Sequence, residues 1–294
     1  PATPAATTAL ATQEVQVTVT EQEPTVADQI AAALDRLSGD AARELGLAGP
    51  GDGQETAPAD DQAAGNDPGG AELKAVLFDV DGTLVDTNYL HAVAWWEAFA
   101  RAGHDVPMAS IHRAIGMGSD RLLDALLPAG RDRAADEIIK IAHSALYQVY
   151  WPQLRPLPGA ADLLRACHDA GLRVVLASSA DPRELEVLRE ALDAEEAIDA
   201  ATSAGDVDSS KPAPDLVQVA LEQAGMSPAQ SVFVGDSVWD ARACQQAGVP
   251  CIGVLSGGTS REELLDAGAA TVYGDPAELL AAFPGSLKAG PSAA

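Results

Sequence analysis

The sequence predicts an α/β fold: a doubly wound, mostly parallel sheet, an inserted α-helical cap, and a disordered acidic N-terminal tail. Three observations lead there. Short, continuous apolar runs recur at residues 74–78, 172–177, 231–234, 250–254 and 270–273, with a weaker one at 199–203. Strands buried on both faces of a parallel sheet read this way, because neither face meets water. Helix-spaced stretches at 159–170, 182–192, 214–224, 241–247 and 260–267 separate these runs, and strand–helix alternation is the signature of parallel crossovers. Between Asp86 and Pro156 the pattern is helical throughout, at 89–102, 108–115, 119–126 and 131–150. That is too long for a single crossover, and an inserted cap explains it better than a structureless loop.

Taken in order, the chain divides into a tail at 1–71, a catalytic core built from 72–86 and 156–284, a helical cap at 87–155, and a flexible end at 285–294. The tail is set apart by composition. Residues 1–73 hold 13 Asp and Glu against Arg36 and Arg43, and no Phe, Trp, Tyr, Cys or Lys. Such a segment buries too little apolar area to offset the entropy of ordering it. Within it, Val26, Ile30, Ala33, Leu34 and Leu37 have helical spacing, so residues 25–45 can form an amphipathic helix. Residues 49–70, rich in Gly, Pro and Asp, read as a linker. Removing the tail is expected to leave turnover unchanged, and no partner for it can be named from sequence.

The whole chain has 294 residues, 47% of them hydrophobic and only 4% aromatic, so Ala, Val and Leu must fill the core. Its formal net charge of −26 argues against a nucleic-acid backbone as partner and against a polybasic membrane surface. No apolar run is long enough to span a bilayer, and the first ten residues lack the pattern of a secretory leader. Cys167, Cys244 and Cys251 have no metal-like spacing and read as reduced thiols, which points to the cytoplasm.

In open α/β sheets, ligands bind at the carboxyl ends of strands. Four chemical groups fall at such ends. Asp79 follows the first strand, with Asp81 two residues on. Ser178 and Ser179 follow the second. Lys211 follows the weak strand at 199–203, and Asp236 follows the run at 231–234, with Asp240 four residues later. Carboxylates, a hydroxyl and one ammonium on a single rim suit a divalent cation together with an anion, and Mg²⁺ prefers hard oxygen ligands. Any one of these alone has a plainer reading: Asp81-Gly82 as a turn, Ser178-Ser179 as a helix cap, Lys211 as a solvated loop residue.

Together, in this order, Asp79-x-Asp81-Gly82-Thr83, Ser178, Lys211-Pro-x-Pro-Asp215 and Gly235-Asp236-Ser237-x-x-Asp240 resemble the haloacid dehalogenase superfamily, over roughly residues 73–283. More narrowly, the chain resembles the phosphoglycolate phosphatase and β-phosphoglucomutase branch, which has a Rossmann-like core and a helical cap between the first two motifs. The resemblance implies a Mg²⁺-dependent phosphatase of a small phosphorylated metabolite. It implies that Asp79 is the nucleophile forming an aspartyl-phosphate and that Asp81 is the general acid and base. Mg²⁺ would be held by the Asp79 carboxylate, the Asp81 backbone carbonyl and Asp236. Ser178, helped by the Ser179 N–H, would bind a phosphoryl oxygen. Lys211 would supply positive charge, and Thr83 would brace the first loop. Asp240 would orient either a metal-bound water or Lys211, and the sequence does not choose.

The cap supplies the weaker candidates. The turn Ile115-Gly116-Met117-Gly118-Ser119 faces the active site in the related families, which brings in Gly116 and Met117. The mutase branch places an Arg just after this Gly. Here Ser119 occupies that place and Arg121 lies two residues on, a departure that counts against a mutase. Arg113, Arg121 and His91 are the other candidate substrate contacts. Trp95 and Trp96 are adjacent and point apart, so at least one belongs to a core or an interface. His104, His112, His143 and His168 show no catalytic spacing and are expected at the surface. A phosphomutase is the alternative function, and a non-catalytic module docking through the acidic tail a more distant one. A dehalogenase needs neither Mg²⁺ nor a second carboxylate such as Asp81. The protein is expected to be a monomer or a homodimer.

Overall fold

The computed structural model describes residues 73–282 apart from Asp208. The expectations for the tail at 1–71, its helix at 25–45, its linker and the end at 285–294 lie outside the described residues. From the first strand, β1 (Ala75–Phe78), the chain enters four helices: α1 (Asn88–Arg101), α2 (Met108–Ala114), α3 (Ser119–Leu126) and α4 (Asp136–Tyr147). It then runs through α5 (Ala160–Asp169), β2 (Arg173–Ala177), α6 (Pro182–Leu192), β3 (Ala200–Thr202), α7 (Asp215–Ala224) and β4 (Ser231–Gly235). It ends with α8 (Val238–Ala247), β5 (Cys251–Val254), α9 (Arg261–Asp266), β6 (Thr271–Tyr273) and α10 (Pro276–Ala282).

The six strands form one parallel sheet in the order β3-β2-β1-β4-β5-β6. β1 is central and buried on both faces, as its apolar run requires. Val76 and Phe78 join the core under α5, α6 and α10, whereas Ala75 and Leu77 join the core under α7, α8 and α9. This alternation is the two-residue period of a strand. Each fully buried Leu or Phe here contributes about 1.5–3 kcal/mol through the water it leaves. The strand order reverses between β1 and β4, and the crevice beyond their carboxyl ends is where such sheets take ligands. The register aligns Phe78 with Val234, so Asp79 leaves the sheet beside Gly235, with Asp236 one residue further on.

The four helices between β1 and α5 have a core of their own, with Trp95, Phe99, Ile111, Leu122, Leu123 and Ile139 at its centre. Trp95 is buried there, while Trp96 is 45% exposed. Three expectations need correction. The single helix expected at 131–150 is broken: a tight turn at Arg133–Ala135 precedes α4, and a 3₁₀ segment, Gln148–Gln153, follows it. The Asp132 side chain caps the first break, accepting from Ala134 N–H, and Pro152 in the second lacks the N–H a helix needs. The helix expected at 241–247 starts at Val238, because Ser237 and Asp240 form a capping box at its start. Finally, His143 is buried rather than at the surface.

Candidate active site

The end of β1 places the first two carboxylates. Asp79 N–H donates to Val234 O (2.9 Å), extending the pairing with β4 by one residue. The chain then turns back on itself, and Val80 O accepts from the N–H of Leu84 (2.8 Å) and Val85 (3.0 Å). This tight turn holds Asp79, Asp81 and Thr83 at the rim.

Lys211 is fully buried beside them. Its Nζ lies 2.5 Å from Asp79 Oδ1 and 2.7 Å from Asp240 Oδ1, with the Phe233 ring 5.6 Å away on its other side. Burial alone would expel the ammonium's charge, but the two carboxylates outweigh that and raise its pKa above the ordinary lysine value. Asp240 Oδ2 meanwhile accepts from Ser237 Oγ (2.5 Å) and Ser237 N–H (3.1 Å). Asp240 therefore caps α8 and also holds Lys211, one of the two partners that the sequence left open for it.

The third carboxylate, Asp236, is held from the other side. Asn88 Nδ2 donates to Asp236 Oδ2 (2.8 Å) and to Gly257 O (3.1 Å), and Thr83 Oγ1 lies 3.2 Å from Asp236 Oδ1 and 3.3 Å from Asp79 Oδ2. Gly257 has to be glycine, since a Cβ there would overlap the Asp236 carboxylate. Oxygen atoms of Asp79, Asp236 and Asp240 all fall within 4.8 Å of one another. Burial raises the pKa of Asp79 well above normal against the pull of Lys211, and burial together with Asp240 pushes Asp236 up to about 7. Asn88 was not expected. At the sequence level it is an ordinary residue at a helix start, and only its approach to Asp236 reveals it.

Asp81 has a different environment. His91 Nε2 lies 3.4 Å from Asp81 Oδ1 and 3.3 Å from Glu184 Oε1, and its Nδ1 lies 3.2 Å from His143 Nε2. The His91 ring stacks on Tyr147 (3.8 Å), and the His143 ring on Trp95 (3.9 Å). Burial works against charge on His91, but hydrogen bonds to Asp81 and Glu184 raise its pKa to about 10. Burial likewise opposes ionisation of Asp81, yet the bond from His91 leaves its pKa below normal. His143, buried next to a charged His91, is held well below its usual value and is neutral. Glu184 was also missed, because a Glu in the first turn of α6 looks like a helix-end charge. His143 and Tyr147 had a signal: with Ile139 they form a stripe of three buried residues at a spacing of four on α4.

Ser178 is fully buried, accepts from Ala180 N–H (3.0 Å) and lies 3.5 Å from Asp81 Oδ2. Ser179, Gly116 and Met117 line a cavity of about 350 Å³ that also takes in Asp79, Asp81, His91 and Lys211. The loop bearing Gly116 sits down on the core. Gly116 has φ +95°, and a Cβ on it would lie 2.7 Å from Ser237 Oγ. Around it, Trp239 Nε1 donates to Arg113 O (3.1 Å) and Ser210 Oγ donates to Asp120 Oδ1 (2.9 Å). The structure does not bring Arg113 or Arg121 to the cavity: Arg113 points outward and pairs with Glu263, and Arg121 is exposed.

A rim of carboxylates at the reversal point of a doubly wound sheet, roofed by a helical insert, defines a capped α/β enzyme. This chain belongs to the haloacid dehalogenase-like hydrolases: the sequence model of that family matches residues 73–248. Within the family it is similar to proteins named phosphoglycolate phosphatase. It is 30% identical over 210 residues to a phosphoglycolate phosphatase of Salmonella typhi, a match covering 63% of this chain and 82% of that one. Among solved structures, a hydrolase from Pseudomonas syringae is 32% identical with a TM-score of 0.68, covering 71% of this chain and 96% of that one. A β-phosphoglucomutase from Clostridium difficile shares the fold, at 21% identity and a TM-score of 0.63, covering 70% of this chain and 93% of that one. Among the described residues, no helix is long and apolar enough to cross a membrane.

Proposed function

We propose that the protein is a Mg²⁺-dependent phosphatase that hydrolyses a small phosphorylated metabolite through an aspartyl-phosphate on Asp79. One observation carries the reading: Asp79 is clamped by a buried ammonium while Asp81, two residues on, faces the same cavity with its own cationic partner. Phosphoryl transfer needs a held nucleophile and positive charge around the moving group, and little else from the protein.

In the first step an Asp79 oxygen forms a bond to phosphorus as the bond to the leaving oxygen breaks, and Asp81 gives that oxygen a proton. In the second, water attacks the phosphorus, Asp81 takes the water's proton, and phosphate departs with the Asp79 carboxylate restored. The depressed pKa of Asp81 suits the second step. For the first, the negative charge of the arriving phosphate favours protonation of Asp81. His91 keeps Asp81 oriented, Ser178 and the Ser179 N–H are the proposed phosphoryl contacts, and Asp240 orients Lys211.

The donor set fits Mg²⁺. Hard carboxylate oxygens cluster within 4.8 Å, and Asn88 Oδ1 beside them has no hydrogen-bond partner. Asp240 is already engaged by Lys211 and Ser237, so the Asp79 and Asp236 carboxylates and the Asp81 backbone carbonyl are the proposed holders. When bound there, Mg²⁺ would supply positive charge to the phosphoryl oxygens. Cys167, Cys244 and Cys251 are free and buried, in keeping with a cytoplasmic location.

The test is phosphate release from a panel of small phosphate esters, with Mg²⁺ and with EDTA. The panel starts with 2-phosphoglycolate, after the name of the Salmonella typhi relative. Turnover is expected only with Mg²⁺, and Asp79→Asn is expected to abolish it. Undiminished turnover in that variant overturns the mechanism. Isomerisation of β-glucose 1-phosphate without net phosphate release would favour the mutase instead.

A further inference from the structure

We infer that Asp81, His91 and Glu184 form a second cation site, separate from the proposed Mg²⁺ position, which takes a transition-metal dication such as Zn²⁺ and halts turnover by taking Asp81 out of use. The binding half stands on geometry alone; the inhibitory half rests on the phosphatase reading above.

The three side chains come from three parts of the fold: Asp81 from the turn after β1, His91 from α1 in the cap, and Glu184 from α6 in the core. One donor atom of each lies within 4.8 Å of the others. His91 Nε2 is 3.4 Å from Asp81 Oδ1 and 3.3 Å from Glu184 Oε1. Nitrogen and oxygen donors about 2.0–2.2 Å from a tetrahedral zinc ion stand about 3.3–3.6 Å apart. His91 thus already keeps a co-ligand's separation from both carboxylates. Its ring is held for the task. Nδ1 meets His143 Nε2 at 3.2 Å, and the ring stacks on Tyr147. His143 is neutral and can accept the Nδ1–H, which leaves Nε2 turned toward the carboxylates. Metal-bound histidines commonly give their other ring N–H to such a partner.

The protein's own groups leave this cluster incompletely satisfied. Nε2 carries one proton at most. Glu184 is only 8% exposed, and its Oε1 has no hydrogen-bond partner. Two carboxylates face one imidazole, so a proton on His91 balances half their charge and a dication balances all of it. That proton is the competitor for the ion and moderates its affinity. All three residues line the 350 Å³ cavity, so an ion reaches them from solvent. One imidazole with two carboxylates suits zinc-like ions, whereas the oxygen donors of Asp79 and Asp236 suit Mg²⁺. An ion bound here ties the Asp81 carboxylate to His91 and Glu184. It joins cap to core and denies the leaving oxygen its proton.

The experiment uses the full chain with saturating Mg²⁺ and adds Co²⁺ or Zn²⁺ alone as the probe. Co²⁺ is expected to bind at one equivalent with a visible absorption band and no sulfur-to-metal charge transfer, and Zn²⁺ to abolish turnover at the same stoichiometry. Glu184→Gln is expected to weaken Co²⁺ binding by about a hundredfold or more. His143→Leu is expected to weaken it roughly ten- to hundredfold, the usual loss when the partner behind a ligand is removed. Inhibition of each variant is measured against its own rate without added metal, and should shift with binding. Equal Co²⁺ affinity in wild type and Glu184→Gln overturns the proposal, as does no binding. A sulfur charge-transfer band assigns the ion to the buried cysteines and overturns it too. So does inhibition that Mg²⁺ relieves in proportion to its concentration, which assigns the ion to Asp79 and Asp236. If Glu184→Gln does not fold, His143→Leu decides by the same criterion. If the wild-type protein hydrolyses no phosphate ester, the phosphatase reading fails and Co²⁺ absorption decides the site by itself, since binding needs no turnover.

Discussion

Replacing Lys211 with methionine tests the electrostatic centre of the site. Lys211 is fully buried, and its ammonium is 2.5 Å from Asp79 and 2.7 Å from Asp240, which are themselves only 5% and 1% exposed. Methionine fills much the same volume, so the change removes charge more than packing. Breaking a buried ion pair by deleting one partner costs about 3–5 kcal/mol, because the remaining charge is left without compensation. Asp79 relieves part of this. Burial already raises its pKa, and without the ammonium it takes up a proton more readily. The lower end, about 3 kcal/mol, is therefore expected near neutral pH, or about 6–12 °C in melting temperature for a folded unit of this size. The sign with pH follows. A carboxyl whose folded pKa is raised destabilises the fold progressively as pH rises from its unfolded value toward its folded one. Losing Lys211 lengthens that range, so the variant's deficit should be smaller at pH 5 than at pH 7.5. Asp240→Asn added to Lys211→Met should recover part of the loss, since it removes one of the stranded charges. The assay is thermal unfolding of the wild type, both single variants and the double variant at the two pH values. A melting drop under about 2 °C, against the several degrees expected per few kcal/mol, or a deficit that does not shrink at pH 5, would refute the reasoning.

Three further outcomes are expected. Gly116→Ala places a side chain at φ +95° and a Cβ 2.7 Å from Ser237 Oγ. Left-handed strain alone costs about 1–2 kcal/mol, so melting temperature and kcat/KM should both fall, and equality with wild type in both would contradict the close seating of this loop. His91 has its folded pKa raised to about 10 from an ordinary 6.5, so its contribution to stability is complete below pH 6.5 and is lost as pH climbs toward 10. Melting curves should show that decline in the wild type and a flatter one in His91→Gln. Deleting residues 1–70 should leave kcat/KM unchanged, because the motifs that carry the proposed chemistry lie between Asp79 and Asp240, and a large loss would tie the tail to catalysis.

The site was legible from sequence where chemistry coincides with strand ends. Asp79, Ser178 and Asp236 each follow an apolar run, so the fold class alone put them on one rim. Lys211 and Asp240 could be placed there but not paired. They lie 29 residues apart on different elements, and neither spacing nor periodicity reports where two side chains meet. Asn88 and Glu184 were illegible for a related reason. Each sits in the first turn of a helix, where Asn and Glu are unremarkable, and each acquires its role from a residue on another element: Asp236 for Asn88 and His91 for Glu184. The helix expected at 131–150 failed differently. Apolar periodicity continues across its breaks, and the local signals, a capping Asp132 and a Pro152 just past the expected end, were outvoted by the pattern around them.

Pairing also explains why the two proposed catalytic carboxylates, only two residues apart, carry opposite shifts. Both are buried, and burial pushes both pKa values upward. Asp81 shares its surroundings with Glu184, but His91 answers both through hydrogen bonds, and its charge is stabilised in return. On that side two carboxylates share one cation: burial raises the pKa of Glu184, while the bond from His91 keeps Asp81 ionised. Asp79 shares its surroundings with Asp236 and Asp240, and one ammonium faces the three of them. Lys211 lies against Asp79 and Asp240, leaving Asp236 to Asn88 and Thr83, neutral donors that orient a carboxylate without neutralising it. The larger surplus of negative charge thus lies at the Asp79–Asp236 edge, the position of the proposed Mg²⁺. On this account a cation is called for beside Asp79, the proposed nucleophile, more than beside Asp81, the proposed acid and base.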